Sequence, residues 1–227
     1  MNKIFETINT CRICDSSEIS EVMNLGSQPP ANSLYEAGKV IPPSVPLRLM
    51  YCDSCSTVQL GEDVDPEYLF VNYLWITGTS ETANQYSQDF VQKALSYSKK
   101  DNKEIFVVEV ASNDGTFLEQ FQHAGCRVLG IDPAVNIAKI ASKKGIPTEA
   151  DFFSNNLAKT LVNSHGYADL IYARNVIPHV KDIHSVLSGI ETLLTKGGVG
   201  VIEFHNAGLL VDELHYDYIY HEHLFYY

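Results

Sequence analysis

From about residue 104 to 204 the chain alternates short apolar runs with helix-length amphipathic segments, and no other feature restricts its fold so strongly. The runs at 104–111 (EIFVVEVA), 127–132 (RVLGID), 147–151 (PTEAD), 169–176 (DLIYARNV) and 198–204 (GVGVIEF) read as strands. Helices are expected over 115–124, 134–144, 155–164 and 182–195. Strands and helices in alternation build a parallel sheet covered on both faces, because a parallel pair needs a crossover long enough to hold a helix. The expected fold class is α/β, a doubly wound parallel sheet, and such sheets bind ligands at the carboxyl ends of their strands.

That rule picks out a set of rim residues. The first strand carries Glu109 and runs into Ser112, Asn113, Asp114 and Gly115, where a glycine permits a left-handed turn and the following helix offers unpaired amides. The turn lacks the three glycines of the dinucleotide fingerprint, so a nicotinamide-linked oxidoreductase ranks last. The second strand ends in Asp132, whose carboxylate can accept both hydroxyls of a ribose, which favours a nucleoside-bearing cofactor. Asp132 can equally cap the helix that begins at Pro133. Asn175 and His179 follow the fourth strand near the same rim; a lone histidine there is usually structural, and its position is what raises a site role.

Four of the five cysteines form two pairs, Cys11/Cys14 and Cys52/Cys55, with 37 residues between the pairs. A two-residue gap lets both thiolates of a pair reach one tetrahedral ion, so the four are expected to hold a structural zinc. Five of the nine prolines lie in the stretch between them, which is expected to be a loop-rich insert rather than a tight hairpin. Cys126 reads as a small buried hydrophobe. The expected domains are a zinc-binding domain over 1–70 and an α/β domain over 71–227.

Composition excludes several classes. A net charge of −12 with no local basic cluster argues against nucleic acid, and no apolar run is long enough for a membrane span. The N-terminal MNKIFETINT has no basic start followed by an apolar core, so a cytoplasmic location is expected.

Together, CRIC…CDSC, NLGSQPPANSL, VEVASNDGTFL, GIDPA, ARNVIPHV and YDYIYHEHLFYY resemble the sugar C-methyltransferases across essentially the whole chain. Members of that family use S-adenosylmethionine to methylate carbon 3 of a nucleotide-linked 4-keto deoxy sugar. The resemblance implies a class I methyltransferase fold, Rossmann-like, behind a small zinc-binding domain, with S-adenosyl-L-methionine and structural Zn2+ as cofactors and a nucleotide sugar as substrate. It also implies a further C-terminal domain, so the chain looks cut short and the 227-residue piece could be inactive. An exposed fifth strand would then favour self-association.

A proton beside a ketone needs a base within hydrogen-bond reach and a donor for the enolate oxygen. By resemblance, Tyr220, Glu222 and His223 are the catalytic tyrosine, glutamate and histidine, with His223 the base and His179 facing the keto oxygen. Tyr73, Trp75 and His221 are the substrate-side candidates. In the family's pocket segment Trp75 replaces a tyrosine, and Thr77 and Gly78 replace serines; Ser80 is expected to cap the next helix. If 220–223 is extended, Glu222 faces away from His221 and His223. Alternative readings are an O- or N-methyltransferase of another small molecule, which needs no carbon-acid base, and a non-catalytic zinc-stabilised binding module.

Overall fold

A computed structural model describes residues 4–227, so the first three residues of the N-terminal stretch read above lie outside it. The chain divides into two compact units, one formed by the stretch up to Leu69 with Ile177–Ile183 and Phe204–Tyr227, the other by Phe70–Val176 and His184–Glu203. The first unit begins with β1 (Phe5–Thr7), β2 (Ile19–Gln28), β3 (Val45–Cys52), β4 (Val58–Leu60), β5 (Glu62–Val64) and α1 (Pro66–Phe70). β2 and β3 form an antiparallel ladder from Ile19↔Cys52 to Gln28↔Val45, so of the stretch between the cysteine pairs only residues 15–18 and 29–44 are loop. The strand ends fall where the pattern VPLRLMYC starts to alternate, with Val45, Leu47 and Leu49 buried. β1 pairs with β5, whose Glu62 and Asp63 are buried. Arg48 and Arg12 compensate those carboxylates, each with a nitrogen 2.5 Å from an oxygen. Arg12 lies between Cys11 and Cys14, so this buried ion pair fastens the first cysteine pair to β5.

In the second unit α2 (Glu81–Leu95) is capped by the Ser80 side chain, which accepts from the Ala83 amide as the sequence leads one to expect. β6 (Phe106–Val110), α3 (Thr116–His123), β7 (Arg127–Ile131), α4 (Val135–Lys143), β8 (Thr148–Glu149), α5 (Asn155–His165), β9 (Ala168–Arg174), α6 (Ile183–Leu193) and β10 (Leu194–Glu203) then alternate. The sheet is parallel throughout in the order β10-β9-β6-β7-β8. This is the class I methyltransferase architecture. All five residues of β6 are buried, as a central strand covered on both faces requires. Phe90, Phe117, Phe121 and Tyr172 pack ring to ring in the core, with Cys126 buried against the same cluster. The order reverses between β6 and β9, which places the ligand crevice at the carboxyl ends of those strands.

The chain returns to the first unit with α7 (Ala207–Asp212) and β11 (Phe225–Tyr226), and β11 extends the antiparallel sheet to β11-β4-β3-β2. A boundary at 70/71 places residues 177–183 and 204–227 in the second domain, yet they pack with the first unit. Phe225 and Tyr226 pair with Gln59 and Val58, occupying the backbone edge that β4 would otherwise leave open.

Candidate active site

The four cysteines come together. All four Sγ atoms lie within 4.8 Å of one another, with Cys11–Cys55 at 3.5 Å and Cys14–Cys52 at 3.7 Å. A tetrahedral zinc about 2.3 Å from each sulfur sets the sulfurs about 3.8 Å apart, so the donor set fits. The Thr57 hydroxyl and amide pull the Cys55 thiol down to about 6, which prepares it to ligate as thiolate.

The cofactor candidates lie in the second unit, where the first strand turns into α3. Ala111, Asn113 and Gly115 have φ of 55°, 49° and 76°, so alternate residues of the turn are left-handed. Asp132 is buried. One of its oxygens accepts the Asn113 amide at 2.7 Å and the other the Ala134 amide at 2.8 Å, so the capping role holds, and each oxygen keeps a second lone pair for a hydroxyl donor. Burial pushes this carboxyl up. Ser112 Oγ is buried without a partner among the described residues, which fits a site that a ligand completes.

Other candidates are already engaged by the protein. Asn113 accepts the Thr77 amide at 2.8 Å and donates to the Trp75 carbonyl at 3.0 Å, strapping segment 75–77 to the turn. Asp114 accepts from the Thr116 hydroxyl and pairs with Lys144 at 2.5 Å. The backbone of Tyr73, not its phenol, is tied to Asn136: its amide donates to Asn136 Oδ1 at 3.2 Å and its carbonyl accepts from Asn136 Nδ2 at 2.8 Å. Gly78 has a physical reason to replace a serine: a Cβ there would lie 2.6 Å from Asp114 Oδ2. Glu109 is interior rather than on the rim. It accepts from the Tyr172 hydroxyl at 2.9 Å, stands 3.6 Å from Arg174, and burial pushes it up to about 8. Asn175, with φ 51°, spends its amide and side chain on Glu203.

The histidine cluster lies in the first unit. Residues 220–223 form a turn closed by the His223 amide on the Tyr220 carbonyl at 3.0 Å, not an extended strand, which overturns the expected alternation. The turn directs Glu222 and His223 towards His179: Glu222 Oε2 is 3.9 Å from His179 Nδ1, and the His179 and His223 rings meet edge to face at 4.7 Å. His223 Nδ1 donates to the Tyr218 carbonyl at 2.9 Å, so Nε2 bears the lone pair, and the Tyr220 hydroxyl is 3.0 Å from it. Burial pushes His223 down to about 4, so the ring is neutral at pH 7. Burial also raises the Tyr220 phenol, which stays a proton donor. His221 points the other way, its Nε2 at 3.1 Å from the Val45 carbonyl and the residue only 2% exposed, so the fold itself uses that imidazole.

Sequence reasoning missed His205 and Tyr218, whose rings meet at a tilt with centroids 4.6 Å apart and wall a cavity of about 170 Å³ beside His223 together with Leu209, Leu210 and Tyr226. His205 stands two residues past the end of β10, and the rule that selected Asn175 and His179 could have found it. Lys144, Asn136 and Arg174 carried no such signal, because each acts through another residue: Asp114, the Tyr73 backbone and Glu109.

A family model described as "Methyltransferase domain" matches residues 81–227, and one described as "Putative zinc binding domain" matches residues 11–70. Among curated proteins, the C-methyltransferase NovU of Streptomyces niveus is 31% identical over 232 residues, covering 100% of this chain and 54% of its own length. The chain therefore spans about half of that relative. Among solved structures, a SAM-dependent methyltransferase from Archaeoglobus fulgidus is 18% identical with a TM-score of 0.46, covering 54% of this chain and 53% of that one. Streptomyces venezuelae DesVI is 16% identical with a TM-score of 0.45, covering 57% and 53%.

Proposed function

The chain belongs to the methyltransferase-domain family, and from that premise we propose that it works as an S-adenosylmethionine-dependent C-methyltransferase. The substrate class is a nucleotide-linked 4-keto deoxy sugar, methylated at carbon 3 through an enolate. One observation carries the reading: a buried histidine with its tautomer fixed, neutral at pH 7, its lone pair facing a phenol. Removal of a proton from the carbon next to a ketone needs a base of this kind, neutral at pH 7 and held in place.

Bound S-adenosylmethionine supplies an electrophilic methyl group, held by the turn at 111–115 and by Asp132. His223 Nε2 takes the proton from the carbon next to the ketone. That lone pair now faces the Tyr220 hydroxyl, so substrate entry displaces this hydrogen bond and releases the phenol as a donor to the enolate oxygen. His179, whose Nδ1 lies 3.9 Å from Glu222, is the second imidazole available to the same oxygen. Zinc would join the cysteine pair ahead of β2 to the pair between β3 and β4, a structural role apart from the proton transfer.

The test is incubation of the chain with a nucleotide-linked 4-keto-6-deoxy sugar in deuterium oxide, with NMR following deuterium entry at carbon 3 and methyl transfer on adding S-adenosylmethionine. Exchange that disappears in His223→Asn supports the reading. Methyl transfer to oxygen or nitrogen, or exchange surviving that substitution, overturns it.

A further inference from the structure

The segment QPPANSL, residues 28–34, has no role in the chemistry above, yet it sends one side chain into the histidine cluster. Asn32 Nδ2 donates to Glu222 Oε1 at 2.5 Å, across 190 positions of sequence. Glu222 is 1% exposed, and a carboxylate removed from water to that degree needs donors at fixed places. Its two oxygens are divided: Oε1 takes the Asn32 amide and Oε2 faces His179 Nδ1 at 3.9 Å. The asparagine is itself held. The Ser33 amide donates to the Pro30 carbonyl at 3.0 Å, the Ser33 and Tyr68 hydroxyls lie 2.9 Å apart, and Pro29–Pro30 restrict the approach.

We propose that Asn32 is a positioning residue of the histidine cluster: its amide fixes Glu222 so that the second carboxylate oxygen faces His179, and so keeps the proton on His179 while His223 stays neutral. The proposal rests on reading this cluster as the site of proton abstraction. A hydrogen bond to a carboxylate favours its charged form, and a carboxylate within about 4–6 Å of an imidazole favours the imidazolium by 1–3 pH units. Without the Asn32 donor the buried Glu222 protonates more readily or turns away, and His179 loses its proton at lower pH. The charged and titratable groups around His179 are Glu222 and His223, with Tyr220 and His205 behind His223. Lys181 follows on the same turn, with its Nζ on Glu6 and Asp63.

The test reads the histidine ring titrations of the zinc-loaded chain by NMR. Wild type is compared with Asn32→Ala, Asn32→Gln, Glu222→Gln and the double variant Asn32→Ala/Glu222→Gln. Glu222→Gln moves the His179 midpoint down by about one pH unit. Asn32→Ala moves it in the same direction, and the double variant moves it no further than Glu222→Gln alone, because one residue acts through the other. Asn32→Gln, which keeps the carboxamide donor, recovers part of the shift. A midpoint unchanged in Asn32→Ala, or effects that add in the double variant, overturns the proposal. Wild-type protein that shows this pattern without exchanging deuterium into a 4-keto sugar upholds the positioning role and refutes the catalytic reading instead.

Discussion

The Tyr220 hydroxyl stands 3.0 Å from His223 Nε2. A histidine pushed down to about 4 keeps its lone pair through the whole neutral range. Carbon-3 exchange should therefore stay level between pH 7 and about 5.5, where a base at the ordinary value near 6.5 would already be failing. His223→Asn should reduce exchange by about 100-fold or more. Tyr220→Phe should reduce it by about 100- to 1000-fold through loss of the enolate donor. A rate that follows a midpoint near 6.5 in the wild type would assign the base to another group.

The same burial gives the two units opposite pH responses. His223 is lowered in the folded state, so the unfolded chain takes up its proton first, and stability falls as pH drops from about 6.5 to 4. A shift of that size corresponds to about 3 kcal/mol. Glu109 is raised to about 8, so the unfolded chain loses its proton first, and stability falls as pH climbs from about 4.5 to 8. Urea melts from pH 4 to 8 should lose the acid limb in His223→Phe and the alkaline limb in Glu109→Gln. A limb that survives its own substitution would reject the assignment for that residue.

Zinc should be present at about one ion per chain, since four sulfurs complete one tetrahedral shell. Cys52→Ser should abolish it by elemental mass spectrometry. Chelation should lower the melting transition of the first unit, because Cys52 ends β3 and Cys55 precedes β4, the strand that carries β11. Metal content unchanged in Cys52→Ser would refute the site.

Gly78→Ala tests the strap over the cofactor turn. Its Cβ would lie 2.6 Å from Asp114 Oδ2 and 2.8 Å from Thr116 Oγ1, so the Asp114–Lys144 pair must shift. A cost of about 1–3 kcal/mol in urea unfolding is expected. Gly200→Ala, whose Cβ would meet only Ile190 and Leu194 at 3.6 and 3.7 Å, should cost less and serves as the control. Equal costs would mean that the turn yields easily.

The sheet was legible because its strands are buried on both faces and punctuated by helices: β6 and β7 lie inside the runs 104–111 and 127–132. The cysteine pairs were legible because metal geometry fixes their spacing. The histidine cluster was legible in its membership and not in its arrangement, since alternation along an extended strand is a local rule and Tyr220–His223 is a turn. Glu109 looked like a rim residue because it sits one position before the end of β6, but a strand side chain alternates between faces and this one points into the core beside Tyr172. Asn32 could not be connected to Glu222 from sequence, because nothing local in a proline-rich loop says which distant carboxylate it will meet. Residues 204–227 joined the first unit through the backbone edge of β4, which no side-chain pattern encodes.

Asp132 offers the decisive binding experiment. Its oxygens already cap the turn through Asn113 and Ala134, so Asp132→Ala must cost stability whether or not a nucleoside binds there. The two roles separate by magnitude and by ligand. Hydrogen bonds from two ribose hydroxyls to a charged acceptor contribute about 1.5–3 kcal/mol each, so calorimetric affinity for S-adenosylhomocysteine should fall by 100-fold or more. Measured at a temperature where the variant is still fully folded, a loss of that size places the ribose on Asp132. Affinity equal to wild type in a folded Asp132→Ala would confine the carboxylate to its capping role on the Asn113 and Ala134 amides.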